Sequence, residues 1–443
     1  MAGYTTLYEL LKEETKQLLD EGREIDREEF LRKIEECGGD REKLLALYNN
    51  MEALPMRKDY KYVEPTELEE IEKEAEGTED GEASEIDATY FRGAWLGRCI
   101  GCAFGQPCEG WSSENIRKWY KAAGKYPIKY FFPTVSGGQT REHASTDERI
   151  CGMPLDDDTR FTVLNTMMIR EKNGSFDSYD VGNFWLHHLP LRFVFTAETQ
   201  AYLNFATVDS FTPWYKPENA LEIMKNEKVN TYMNPYREWI GAQIRADAFA
   251  YAYAGLPQAA ARKAHADAYL THIKNGIYGE TFFAALISAA FTEKDVEKCF
   301  ETALKVIPKK SRFYEEAVYV RKMAESAENR EELIDALVER GEKYSHVHTI
   351  NNAAFCIAAI FFGKGDFRES VSFAVECGMD TDCNGATVGS FMGALLGEEK
   401  IPKDLKDAMK DKFSVGVYPY DDYSIRKFAD ECKELRDRLN KRA

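Results

Sequence analysis

A chain of 443 residues with 44% hydrophobic side chains can bury a large interior, and its length suggests two to three domains. The formal net charge is −18, of which residues 1–90 carry 12 − 27 = −15 and the remainder 46 − 49 = −3. The acidity therefore belongs to the N-terminal portion, and it argues against tight nonspecific contact with nucleic acid or an anionic membrane.

No window reaches about 18 consecutive apolar residues, so no membrane span is expected. The N-terminus lacks the basic and apolar blocks of a signal peptide, and the ten cysteines fall at irregular spacings without a disulfide framework. Cys99 and Cys102 form a C-x2-C, but no second pair at zinc spacing follows. A cytoplasmic protein with free thiols is the expectation.

In chain order, residues 4–50 place Leu, Ile and Phe at helical spacing and predict two or three amphipathic helices broken near Gly38 and Gly39. An extended aromatic stretch runs from Pro55 to Pro65. An acidic segment, Glu67 to Asp87, containing GTEDGEASE follows and reads as an exposed linker or a fraying helix end. Residues 1–87 are thus expected to form an acidic helical extension. A solvated appendage is the plain reading, with a lid or an oligomer contact as the alternative.

From Ala88 the composition changes. Gly93, Gly97, Gly101 and Gly105 recur every fourth residue, as do Gly385, Gly389, Gly393 and Gly397 near the C-terminus. That spacing lays each set along one helix stripe. Glycine inside a helix costs about 1 kcal/mol against alanine, so two such ladders predict two helices whose backbones approach closely. The first should end near Gln106 and Pro107, leaving Glu109 just beyond it. Lys118–Cys151 reads as a long loop.

Two acidic turns each open a helix: Asp156, Asp157 and Asp158 in the first, Asp380 and Asp382 in the second. A solvated capping turn explains one such cluster, but two suggest a hard-cation site held by carboxylates. Stretches 184–206 and 234–290 read as helical. His187 and His188 read as packed or exposed rather than as ligands. His348, Asn351 and Asn352 in HVHTINN open a late apolar helix, and are expected to point at the same cleft as the acidic turns. Asn275 and Gly276 in KNGIYGE are read as a turn first and a substrate contact second. No hairpin pattern stands out, so the fold class is all-α and compact.

Taken together, GAWLGRCIGCAFGQPCEG, DDDT and GMDTDCNGATVGSFMG resemble the ADP-ribosylglycohydrolase family over about residues 88–443. NPYREWIGAQIRAD, HIKNGIYGE and HTINNAA look like a long-chain bacterial branch of it. The resemblance implies an orthogonal all-α fold with two Mg2+ ions, Mn2+ being the substitute, in a cleft between helices. By position, Asp156, Asp157, Asp158, Asp380 and Asp382 would be the metal ligands. Glu109, with Asp158 and Asp382, would do the chemistry. Gly241 to Arg245 would contact phosphates, and His272 would line the cleft. This chain departs from the family pattern at Asp156 and Cys383, where the family usually has Thr, and at Cys102, where Asp is common. A thiol is a poorer ligand for Mg2+ than a hard oxygen.

The leading expectation is a Mg2+-dependent hydrolase of a ribosyl glycosidic bond, acting on a small-molecule or protein-linked ADP-ribosyl conjugate. An N-glycosidase of nucleosides and a non-catalytic ADP-ribose binder are the alternatives.

Overall fold

The computed structural model describes residues 4–81, 84–134, 143–211 and 215–441. Twenty-one α-helices account for most of them, and among the described residues β structure is confined to isolated bridges. The all-α expectation holds.

The two glycine ladders pack against each other, antiparallel, along the helices Ala88–Gly105 and Thr381–Leu396. Gly93 faces Gly393, Gly97 faces Gly389 and Gly101 faces Gly385. A Cβ built on any of the six would overlap the facing carbonyl oxygen. Only glycine permits this approach, and the approach offsets what glycine costs in a helix. At the end of the pair, Gly105 meets Thr381, whose Oγ1 donates to the Gly105 carbonyl at 2.8 Å. The second acidic turn is thereby set beside the first ladder's C-terminus. Around this pair lie the helices Asp157–Glu171, Phe367–Glu376 and Ile425–Asn440.

Three predicted stretches resolve differently. Lys118–Ala122 completes a helix, Ser113–Ala122, rather than starting a loop, while residues 135–142 of that loop lie outside the described residues. Stretch 184–206 is two helices, Ser178–His188 and Thr196–Ala206, interrupted around Pro190. Stretch 234–290 begins as irregular turns before its helices Ala246–Ala252, Pro257–Ala268 and Lys274–Ala290.

Residues 7–52 of the N-terminal extension form three helices, Leu7–Asp20, Arg27–Cys37 and Arg41–Glu52, around a small apolar cluster that Met233 of the body joins, and a fourth helix, Leu68–Glu74, follows. The extension is not a solvated appendage. Arg237 of the body is buried and reaches Glu14 at 2.8 Å and Glu21 at 2.7 Å, while Lys274 bonds Glu21 at 2.6 Å. Gln17 donates to Glu238 at 2.9 Å, and Glu64 pairs with Arg312. Part of the N-terminal acidity is thus consumed internally, by basic residues of the body. In the linker, Asp80 accepts from the backbone N–H groups of Gln258 and Ala259 at the start of another helix. Among the described residues no helix is long and apolar enough to cross a membrane.

Candidate functional site

A cavity of about 740 Å³ opens where the acidic turns meet. That volume is within the range of small-molecule sites. Glu109, Asp156, Asp157, Asp380, Asp382 and Gly241 of the sequence-predicted residues line it.

Each turn is positioned by the end of a ladder helix. Asp156 is the N-cap of helix Asp157–Glu171: its Oδ1 accepts from the Asp158 backbone N–H at 2.9 Å. Its Oδ2 accepts from Gln106 Nε2 at 2.6 Å, and Gln106 directly follows the first ladder helix. The second turn is bent by two successive left-handed residues, Gly378 (φ 79°) and Met379 (φ 66°). Met379, which has a Cβ, is strained there by about 1–3 kcal/mol. Two backbone bonds hold it: Met379 N–H donates to the Trp111 carbonyl at 2.9 Å, and Gly110 N–H donates to the Met379 carbonyl at 2.8 Å. This clasp brings Glu109 against Asp380 and Asp382.

Asp158 lies beneath the cavity floor and is fully buried. Arg98 of the first ladder helix donates to its carbonyl at 2.9 Å and to its Oδ1 at 3.3 Å. Arg98 also pairs with Asp247 at 2.7 Å, so its charge is shared. Cys383 Sγ lies 3.2 Å from Asp158 Oδ2. Burial, then the neighbouring carboxylates, push this thiol well above its ordinary pKa, so it stands as a neutral donor to Asp158.

Burial also raises the carboxyls themselves. Asp157 is pushed up to about 8, by burial first and then by Asp156. Asp158 and Asp382 are driven well above the usual range by burial, and then by Asp156 and by Glu109 respectively. Asp380 is raised by burial, against a smaller lowering by its neighbours Cys383 and Asp382. Such crowding of acids is a poor arrangement for protein alone and a good one for a cation.

Three sets of side chains have ligand atoms within 4.8 Å of one another: Cys102 with Asp156 and Asp158, Asp158 with Asp382 and Cys383, and Glu109 with Asp380 and Asp382. Asp382 Oδ1 is buried and has no hydrogen-bond partner. An orphaned carboxylate oxygen inside a carboxylate cluster is what a divalent ion would satisfy, so these residues fit one. Asp157 lines the cavity but stands outside the three sets. Cys102 stands inside one.

The other sequence-predicted residues lie behind the cavity wall. Arg245 is buried, and its guanidinium is taken up by Asp267, Glu198, Thr271 and the Gly241 carbonyl. His272 is buried with Nδ1 2.6 Å from Thr271 Oγ1, and Gly276 packs against it. Asn275 is buried too. It sits in the first turn of its helix, donates to Glu238 Oε1 at 2.7 Å and accepts from Phe313 N–H, so it ties chain segments together. His348 caps helix Thr349–Phe362 through the Ile350 N–H. Asn351 and Asn352 donate to the carbonyls of Ser345, His346 and His348. Their effect on the cavity is indirect: they fix the loop that places His346 in the lining. His187 and His188 are exposed at a helix end, away from the lining.

Sequence reasoning missed Gln106, Arg160, Trp239 and Tyr4 as cavity residues. Gln106 and Trp239 lie within quoted motifs and Arg160 directly follows the DDDT turn, so all three were legible there, whereas nothing near Tyr4 marks a site.

A model of the ADP-ribosylglycohydrolase family matches residues 84–442. Among solved structures, the chain is similar to one titled "ADP-ribosylglycohydrolase-related protein complex". The identity is 18%, the match covers 80% of this chain and 98% of that one, and the TM-score is 0.43. A search of curated protein sequences returned no match. With the family model covering most of the chain around these paired acidic turns, the chain belongs to the ADP-ribosylglycohydrolase family and is a glycosyl hydrolase.

Proposed function

We propose that the chain is a Mg2+-dependent hydrolase that removes ADP-ribose from a conjugate. The observation that carries the reading is the convergence of Glu109, Asp156, Asp157, Asp380 and Asp382 on one cavity, with the orphaned Asp382 oxygen inside the carboxylate cluster. Asp156, Asp158, Asp380 and Asp382 would hold two divalent cations, Mn2+ substituting for Mg2+, with Asp157 at their edge. Bound there, the cations would supply Lewis acidity and an orienting charge for the ribose hydroxyls.

Glu109 is exposed at the cavity and adjoins Asp380 and Asp382. It is placed to move the proton as the ribosyl C1 bond to nitrogen or oxygen breaks, water adding its hydroxyl to C1 and its proton passing to the leaving group. Arg160 is the single lysine or arginine in the described lining and offers its guanidinium to a phosphate. The ten cysteines are unpaired, which suits a reducing compartment, and we place the protein in the cytoplasm.

The sealing of Arg245 behind the wall, which leaves one basic residue for phosphate, favours a second reading: N-glycosidase action on a nucleoside. One experiment addresses both. ADP-ribosylated protein and a nucleoside panel are incubated with the enzyme in Mg2+ or in EDTA, and products are identified by mass spectrometry. Metal-dependent release of ADP-ribose is expected. Release of free base from nucleosides alone moves the assignment to the second reading, and release unaffected by EDTA counts against both.

A further inference from the structure

We propose that the N-terminal segment completes the cavity as a subsite for the flat base of the substrate, with Tyr4 as its stacking ring. The inference rests on the reading that the substrate is a nucleotide or nucleoside ribosyl compound, and it adds where the base is held.

Tyr4 lies outside the matched family segment, yet its side chain lines the same cavity as the acidic turns. Its ring meets that of Tyr236 edge-on, centroids 5.9 Å apart at 80°, and Tyr236 meets Trp239 at 4.6 Å. Tyr236 is 3% exposed whereas Tyr4 is 49% exposed, so a buried ring backs an open one. Trp239, Phe193 and Phe195 also line the cavity. Of the large apolar side chains left exposed anywhere on the described surface, Tyr4, Leu155 and Phe195 gather here. Such a gathering at the mouth of a cavity has a physical reason when a ligand covers it.

The position of Tyr4 is not left to a free chain end. Thr6 caps helix Leu7–Asp20 through the Glu9 N–H. That helix and its C-cap residue present Glu14, Gln17 and Glu21 to Arg237 and Glu238, which immediately precede Trp239. The wall segment is in turn joined to the loop carrying His346, since Ile240 N–H donates to the Val347 carbonyl at 2.9 Å. Tyr4 is therefore fixed relative to Trp239 through buried charge pairs. A planar heteroaromatic base has a π-face that stacks on such rings without base-specific hydrogen bonds.

Binding of ADP-ribose and of adenosine in Mg2+ is measured by calorimetry for the wild type, Tyr4→Phe and Tyr4→Leu, with thermal melting to show all three fold alike. Tyr4→Leu is expected to weaken binding by roughly tenfold or more, the loss of one base–aromatic stack, and Tyr4→Phe to bind as the wild type does. Wild-type affinity in Tyr4→Leu overturns the subsite, as does an equal loss in both variants. If the wild type binds neither ADP-ribose nor adenosine, the functional reading fails and the subsite falls with it. Binding that is indifferent to Tyr4→Leu removes the subsite alone.

Discussion

Asp382 is the side chain on which the cation argument turns. It is 5% exposed, one of its oxygens has no hydrogen-bond partner, and it shares one neighbourhood with Asp158 and Cys383 and another with Glu109 and Asp380. Leaving a buried carboxylate oxygen unsatisfied is costly in protein alone, and a divalent ion removes the cost. Asp382→Asn keeps the shape and removes the charge. It is expected to lower Mn2+ affinity, followed by the paramagnetic signal of the free ion, by about tenfold or more, since even outer-shell partners of metal sites alter affinity by that factor. Unchanged affinity would place the ion elsewhere. Asp158 differs in kind. Its carbonyl and Oδ1 are tied to Arg98 and its Oδ2 to the Cys383 thiol, so it has less coordinating capacity left than its place in the Asp-Asp-Asp turn suggests. The sequence singles out Cys383 as a departure, but the hydrogen bond that makes it a donor to Asp158 spans 225 residues and leaves no local trace.

At the scale of the element, the two ladders were the most legible feature of the chain. A glycine every fourth residue has few explanations in a helix, and both the pairing and its purpose follow from the spacing. The ends of the ladders then carry the acidic turns to one place. Less legible were the polar residues at helix starts. The resemblance sets His272 in the cleft, KNGIYGE makes Asn275 a turn first and a contact second, and His348, Asn351 and Asn352 look like ligand contacts because they open an apolar helix. In the fold that same context buries them, and a buried polar group must bond within the protein. Asn275 bonding Glu238 and Asn352 bonding the His348 carbonyl are instances. A direct consequence of the ladder is that adding one methyl at its centre forces the helices apart. Gly101→Ala is expected to destabilise by about 2–3 kcal/mol or more in chemical denaturation, as overpacking does, and to weaken Mn2+ binding because the turns shift with the helices. Gly39→Ala is its control: no atom lies within 4 Å of the added carbon and the backbone there is unstrained, so stability should hold or rise. Equal effects at the two positions would refute close packing as the reason for the ladder.

For the whole molecule, the relation between the N-terminal helices and the body is the part that composition misjudged. Excess acid reads as solvated charge, and pairing with Arg237, Lys274 and Arg312 needs the fold to be seen. Glu21 faces Arg237 and Lys274, and also Gln17, Glu14, Asp20 and Glu238. Burial pushes Glu21 up, but the two cations prevail and hold it well below the ordinary carboxylate range. Glu238, likewise buried, is held low by Arg312 against its acidic neighbours. At Glu14 burial outweighs Arg237 and the shift is upward, so Glu14 opposes the other two. For a depressed carboxyl the folded state binds its proton more weakly than the unfolded state. The stability it contributes is present above about pH 4.5 and is lost as pH falls below that value. Arg237→Leu removes the cation while leaving Glu14 and Glu21 buried, which costs about 3–5 kcal/mol at neutral pH. With Arg237 gone, burial favours the protonated form of Glu14 while Glu21 keeps Lys274, so the unpaired charge that penalises the variant is neutralised as pH falls. The expected result is a melting difference between wild type and Arg237→Leu that is large at pH 7 and narrows at pH 4, with the fastest hydrogen exchange in the variant at residues 7–52. A difference of the same size at both pH values would mean that packing, rather than charge, fastens the extension to the body.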